Sequence, residues 1–280
     1  MLGKSETLAV LGTGTMGEAI LRGLLRSGKL EPGQIIGTDR RAEVTRAIAE
    51  KHGIRTTSDN REATAAAQIV LLCVKPHEVE PLVTDPAVSA ALTGKLVISI
   101  AAGVRLDQLA SWLPNSAVVR AMPNTPCLIG EGMTVIARGP RVTDAQAATV
   151  IEVFRSVGGC LEAEDKVMDA VTSLNGSGPA FAYIMIEALT DGGVRMGLRR
   201  DTAMQIAAQM VQGAARMVLQ TGMHPAALKD QVTTPAGSTI AGLLIMEDGR
   251  IRSVIARAVE EAAKTAAKLG QTSAPKPADK

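Results

Sequence analysis

The sequence predicts an α/β domain followed by an all-α domain. Three observations carry that prediction. Short apolar runs alternate with helical patterns over roughly the first 165 residues. A glycine-rich turn, Gly12-Thr13-Gly14-Thr15-Met16-Gly17, directly follows the first run. Beyond that region helical patterns continue with no convincing strand between them.

Residues 7–11 are an apolar run bounded by Gly12 and predict a buried strand. Residues 16–26 have helical spacing, with Ile20, Leu21, Leu24 and Leu25 on one face. Residues 34–38 predict a second strand. Residues 43–52 predict a helix, and Gly53 suits its C-cap. Further strands are expected at 69–74, 96–100, 117–121 and 134–137. Alternating strands and helices mean βαβ units and a parallel sheet, and continuously apolar strands mean a sheet covered on both faces.

Helices are then expected at 168–174, 179–189, 200–219 and 250–269. The stretch Asn175-Gly176-Ser177-Gly178-Pro179-Ala180-Phe181 predicts a break, with Pro179 starting a new helix. Residues 180–186 are apolar on every face, which requires burial in a bundle or against a second subunit. The last helix sets Ile251, Val254, Ile255, Ala258 and Ala262 against a polar face carrying a Glu260–Lys264 pair. A small helical domain has a limited core of its own, so a dimer through these helices is expected. The domain boundaries read as 1–165, 166–271 and a Pro/Lys/Ala-rich disordered tail, 272–280.

Composition narrows the function. Aromatics make up 1% of the 280 residues, which argues against nucleic-acid binding by base stacking. The net charge of +2 is too small to imply a polyanionic partner. Cys73, Cys127 and Cys160 are far apart, so neither a disulfide framework nor a zinc site is expected. His52, His77 and His224 are scattered and read as ordinary histidines. No signal-peptide pattern and no run of membrane-spanning length occurs, and a cytoplasmic protein is expected.

A strand, Gly12-x-Gly14-x-x-Gly17 and a helix, in that order, form the dinucleotide fingerprint of a Rossmann domain. Gly12 permits the tight turn, Gly14 lets backbone approach the pyrophosphate, and Gly17 lets the helix pack close to the strand. The second strand ends in Thr38-Asp39-Arg40-Arg41. An acid there favours NAD through the ribose 2′-OH, and a hydroxyl with an arginine favours NADP through the 2′-phosphate. Both signals are adjacent, with a weak lean to NADP. Val74 and Lys75 end one parallel strand, and Ser99-Ile100-Ala101-Ala102-Gly103 ends another with small residues against which a nicotinamide can lie.

The segment Val232-Thr233-Thr234-Pro235-Ala236-Gly237-Ser238-Thr239 lies between helical stretches. Its hydroxyls and free N–H groups suit a small carboxylate. Arg120-Ala121-Met122-Pro123-Asn124-Thr125-Pro126 forms a stiff loop after a strand.

Together with Gly176-Ser177-Gly178-Pro179-Ala180 and Asp191-Gly192-Gly193-Val194-x-x-Gly197-Leu198, these motifs resemble pyrroline-5-carboxylate reductase, in order from about residue 7 to 269. The resemblance implies an α/β Rossmann-type N-terminal domain plus an all-α C-terminal dimerisation domain. It implies reduction of the C=N bond of 1-pyrroline-5-carboxylate by NADPH, with NADH possible, giving L-proline in the last step of proline biosynthesis. It also implies that one subunit's cofactor meets its partner's 232–239 loop, with assembly as far as a decamer of five dimers. Carried over, Thr239 is catalytic through the ring nitrogen, and Thr234, Gly237, Ser238, Asn124 and Ser177 bind substrate. Gly12, Thr13, Gly14, Thr15, Met16, Gly17, Thr38, Arg40, Asn60, Val74, Lys75, Ala101 and Ala102 form the expected cofactor set; no metal is expected. Ala236 stands where a glycine is common in the family, and Asp39 is not the usual neighbour of the NADP-side hydroxyl. A related cyclic imine reductase is the nearest alternative. A β-hydroxyacid dehydrogenase fits less well, because that family uses a lysine in the first long helix of its second domain and residues 168–189 contain none. A non-catalytic nucleotide sensor would need no intact 234–239 loop.

Overall fold

The structure, a computed structural model, describes residues 6–269. The tail expected over 272–280 lies outside the described residues. Eight strands form one sheet: β1 Leu8–Leu11, β2 Ile35–Thr38, β3 Arg55–Thr57, β4 Ile69–Leu72, β5 Leu96–Ser99, β6 Ala117–Met122, β7 Gly132–Arg138 and β8 Gly158–Glu162. Their order across the sheet is β3-β2-β1-β4-β5-β6-β7-β8. Around and after them run α1 Thr15–Arg26, α2 Ala42–His52, α3 Asn60–Ala65, α4 Pro76–Thr84, α5 Pro86–Leu92, α6 Leu106–Trp112 and α7 Asp144–Arg155. The remaining helices are α8 Met168–Val171, α9 Gly178–Arg195, α10 Arg200–Thr221, α11 Pro225–Gln231, α12 Ser238–Asp248 and α13 Ile251–Leu269.

The apolar strands are buried on both faces, and alternation decides which face each residue serves. Leu8 and Val10 of β1, with Ile69 and Leu71 of β4, join Ile20, Leu24 and Phe154 in one core. Ala9, Leu11, Val70 and Leu72 join Ala63, Val79, Val83 and Leu109 in the other. Each fully buried Leu or Val contributes roughly 1.5–3 kcal/mol to this arrangement.

Three features depart from the expected pattern. First, the sheet is mixed, not wholly parallel: β7 runs antiparallel to β6. The link from Met122 to Gly132 is too short for a parallel crossover, which needs a dozen or more residues. Second, β3 and β8 were not anticipated. They form the two edges, and edge strands such as Arg55-Thr56-Thr57 lack the continuous apolar signal. Gly158, at φ 147, is required at the β8 edge, since a Cβ there would lie 1.9 Å from the Gly132 carbonyl oxygen.

Third, the expected break at 175–181 does not occur. α8 passes through a π-helical segment, Thr172–Ser177, straight into α9. Pro179 lacks the N–H that a regular turn would send back to residue 175, and a widened turn accommodates it. The Asn175 side chain draws that turn toward the sheet, donating from Nδ2 to the carbonyls of Met122 (2.8 Å) and Met133 (2.9 Å).

Strands end at Glu162, close to the expected 165/166 boundary, whereas compactness divides the chain at 177/178. One unit comprises residues up to Ser177 and from Glu261 onward; the other is Gly178–Glu260. Arg120 helps keep α8 with the first unit. Its buried guanidinium reaches Asp165 and Asp169, each at 3.0 Å.

The second unit is a helical array with almost no interior. Among its described residues only Thr190, Ala203 and Ala207 are buried. Small residues let α9 and α10 approach, and a Cβ on Gly193 would sit 3.1 Å from that of Ala203. Ile184 is 66% exposed and Ile245 72%. α12 carries Ile240, Leu243, Leu244, Ile245 and Met246 around its circumference, and no residue of it is buried. A helix apolar all round demands a partner surface.

Candidate functional site

The glycine turn after β1 is fixed by its neighbours. The Gly12 and Thr13 N–H groups donate to the Thr38 carbonyl at 3.0 and 2.9 Å. Gly12 adopts φ 99, and a Cβ there would meet the Cys73 backbone at 3.0 Å. On Gly17 a Cβ would lie 2.2 Å from the Gly12 carbonyl oxygen, so only glycine lets α1 start so close to the strand. Gly14 is the N-cap of α1 and offers no side-chain cap; no atom lies where its Cβ would be. The first-turn N–H groups of Thr15, Met16 and Gly17 therefore point from an uncapped helix end. The Cβ-free cradle and the uncapped turn fit a pyrophosphate. Thr13 itself is buried. Its hydroxyl donates to the Thr38 carbonyl, and its methyl packs over Gly37.

Beside this turn lies a cleft of about 420 Å³, bounded by Gly12, Asp39, Arg40, Asn60, Val74 and Lys75 among others. The Thr38 hydroxyl donates to Asn60 Oδ1 at 2.6 Å, joining the end of β2 to the start of α3. Asp39 and the two arginines sort into two ion pairs. Asp39 Oδ1 accepts from the Arg41 backbone N–H and Nε, both at 3.0 Å, and Oδ2 accepts from Nη2 at 3.3 Å. Partial burial opposes ionisation of Asp39, but the Arg41 hydrogen bonds and charge outweigh it and hold the carboxyl below its ordinary range. Arg40 instead pairs with Glu78 of α4 at 2.7 Å. Lys75 N-caps α4 with its backbone N–H on Glu78, and its side chain is exposed. Desolvation pushes the Cys73 thiol upward, so the thiol beside the turn stays neutral. After β5, Ala101 is buried and Ala102 half-buried at the turn to Gly103, φ 81.

Asn124 and Ser177 also lie in the first unit. Asn124 is largely engaged: Nδ2 donates to Asn175 Oδ1 at 3.0 Å, and Oδ1 accepts from the Met133 N–H at 2.9 Å. It braces the loop against the π turn. Ser177 closes that turn and is half-buried. Gly176 allows the turn to sit against Met122, since a Cβ would lie 2.5 Å from its methyl.

The 232–239 segment belongs to the second unit and joins α11 to the first turn of α12. The Thr233 hydroxyl is spent on the Lys229 carbonyl, 2.8 Å. The Gly237 N–H closes a turn on the Thr234 carbonyl at 3.0 Å. Ala236 occupies the left-handed region, φ 55, where glycine is less strained. Gly237 N-caps α12 without a side chain, and a Cβ there would strike the Thr234 hydroxyl at 2.4 Å. Among the described residues, the hydroxyls of Thr234, Ser238 and Thr239 make no hydrogen bond to another protein group. Uncapped N–H groups and free hydroxyls at one helix end suit a carboxylate.

Several groups carry weight that the sequence reading did not assign. Asn175 welds three segments, and its signal was a polar amide inside a helical stretch. Arg120 was readable as a charge inside the apolar strand Ala117–Met122, which must find acidic partners. Glu78 gave no signal, since one glutamate in a helix is ordinary. Two of the histidines serve structure: His52 bonds Glu18 at 3.0 Å, and His224 accepts from the Ala226 N–H. Among the described residues no His, Cys, Asp and Glu cluster could hold a metal, and no helix is long and apolar enough to cross a membrane.

Residues 165–269 match the family described as pyrroline-5-carboxylate reductase dimerisation, and residues 7–103 match NADP oxidoreductase coenzyme F420-dependent. The pyrroline-5-carboxylate reductase of Arabidopsis thaliana is 40% identical over 96% of this chain and 97% of its own. That of Schizosaccharomyces pombe is 42% identical over 94% and 98%. Among solved structures, a pyrroline-5-carboxylate reductase of Coxiella burnetii superposes with a TM-score of 0.90, at 33% identity, over 96% of this chain and 100% of that one. The Plasmodium falciparum pyrroline carboxylate reductase with NADP bound gives 0.84 at 28% identity, over 95% and 99%.

Proposed function

Because the chain belongs to the pyrroline-5-carboxylate reductase family, we infer that its two groups of site residues act on one cyclic imine. The protein is an oxidoreductase that reduces 1-pyrroline-5-carboxylate to L-proline with NAD(P)H, the last step of proline biosynthesis. The observation that carries the reading is the pairing, in one chain, of a Cβ-free dinucleotide turn with an uncapped, hydroxyl-rich helix end. The nicotinamide supplies the hydride.

The chain's own residues supply position and charge. Gly12, Gly14, Thr15, Met16 and Gly17 hold the pyrophosphate on the first turn of α1, with Thr13 shaping the turn. Arg40, Asn60, Val74 and Lys75 line the adenosine side, with the buried Thr38 holding Asn60 in place, and Ala101 and Ala102 would offer a flat wall to the nicotinamide. The N–H groups at Gly237 and Ser238 and the Thr234 hydroxyl hold the substrate carboxylate. Asn124 and Ser177 are the first unit's own candidates for substrate contact. Thr239 hydrogen-bonds the ring nitrogen and fixes which face of the imine receives the hydride. A protonated imine is already a good electrophile, so this site needs no strong acid. His52 and His224 are committed to Glu18 and to the start of α11.

The match to a dimerisation domain supports an oligomer. The exposed apolar faces of α9, α10 and α12 support a dimer built on the second unit. Sedimentation measures the dimer and any further assembly toward a decamer. Three free cysteines suit a reducing compartment, which supports a cytoplasmic location.

The test is oxidation of NADPH and NADH at 340 nm in parallel, with pyrroline-5-carboxylate as substrate. Formation of proline is the expected result. Cofactor binding without turnover would overturn the assignment of the 234–239 loop.

A further inference from the structure

The end of β2 holds two arginines on two different leashes. Arg41 is chelated by Asp39, whose side chain is only 10% exposed and takes three hydrogen bonds from that one residue. Arg40 is held by a single 2.7 Å ion pair to Glu78, and its own side chain is 82% exposed. Glu78 does not share that freedom. It is three-quarters buried, and its second oxygen accepts the Lys75 N–H at 3.1 Å, which fixes it at the start of α4. Asp39, Arg40, Arg41, Lys75 and Glu78 all border one cleft.

We propose that Glu78 is a specificity-determining residue that sets the balance between NADPH and NADH by competing with the 2′-phosphate for Arg40. The proposal rests on the reading of this cleft as the adenosine side of the cofactor site. The pair is a single contact whose Arg40 end is exposed, and Glu78 keeps the Lys75 N–H when Arg40 leaves, so a phosphate dianion can recruit Arg40 at small cost. The Asp39–Arg41 chelate is harder to open, because unpairing it leaves a mostly buried carboxylate. A 2′-OH requires neither rearrangement. Arg40 is therefore the recruitable arginine, and Glu78 sets the penalty for recruiting it. This balance lets a strand end carrying both an acid and arginines serve either nucleotide.

The experiment titrates NADP+ and NAD+ by calorimetry into the wild-type protein, Glu78→Gln, Arg40→Ala and the double variant. Glutamine keeps an acceptor for the Lys75 N–H but removes the charge. Glu78→Gln is expected to tighten NADP+ about fivefold, the size of an exposed ion pair, with NAD+ within about twofold. Arg40→Ala is expected to weaken NADP+ at least about tenfold more than it weakens NAD+. In the double variant the gain from Glu78→Gln should vanish. The kcat/KM ratio for NADPH over NADH should move in parallel. An unchanged NADP+/NAD+ ratio in Glu78→Gln, or a gain that persists without Arg40, overturns the proposal alone. Failure of the wild-type protein to bind either nucleotide overturns it together with the cofactor reading. Arg40 lies on the surface, so its variant keeps the test open even if Glu78→Gln does not fold.

Discussion

In the first unit β1 and β4 bury every residue, whereas in the second only three small side chains are buried among the described residues. The first unit can fold on its own core. The second exposes Ile184, Met204, Ile206, Met210, Leu244 and Ile245, and its stability belongs to the assembly. The contrast extends to the chemistry. In the first unit sterics make the site: glycines stand where a Cβ would collide. In the second, the candidate site consists of helix-end N–H groups and hydroxyls on a helical array with almost no interior of its own.

The largest effect expected is at Gly17. Gly17→Ala sets a methyl against the Gly12 carbonyl and should lower cofactor affinity at least 100-fold, on the scale of overpacking costs. Sedimentation should still show the wild-type oligomer. Loss of the oligomer as well would mean that the two units are not energetically separate.

Ile206→Asp makes the reciprocal break. A carboxylate buried at the association surface should weaken self-association by about two orders of magnitude or more. Nucleotide binding should survive while turnover falls. An unshifted sedimentation profile would remove this face of α10 from the interface.

Thr239→Ala should cut kcat/KM by about 10–1000-fold, the range for one positioned hydrogen bond, with folding and cofactor affinity unchanged. An unchanged rate would remove Thr239 from the mechanism.

The smallest effect is at Ala236. Glycine there relieves a left-handed alanine, and Ala236→Gly should stabilise the assembly by about 1 kcal/mol at the most. Thermal unfolding at fixed protein concentration measures it, and destabilisation would mean that the methyl packs in the assembly.

Much of the first unit was legible because its signals are local. Residues 8–11 and 69–74 are apolar without interruption, and Gly53 stands at a left-handed C-cap, φ 65. The polar turn between α11 and α12 was legible too, since Pro, Gly and hydroxyl residues between helices announce it. Less legible were the edges: Arg55-Thr56-Thr57 and Gly158-Gly159-Cys160-Leu161-Glu162 take their strand form from a neighbour already in place. The helical continuity through Pro179 was illegible in principle, because Asn175 stabilises the π turn through partners at Met122 and Met133.

By itself the sequence determined the order of the inner strands, the glycine turn after β1 and the polar turn before α12. Those depend on periodicity, backbone freedom and residues adjacent in the chain. The tertiary structure decided the antiparallel β7, the edge strands, the π segment and the division of Asp39, Arg40, Arg41 and Glu78 into two ion pairs. Each of these depends on groups that are remote or alternative partners in sequence and meet only when sheet and helices close. A charge chooses its partner by distance and burial, and neither quantity exists before the chain has folded.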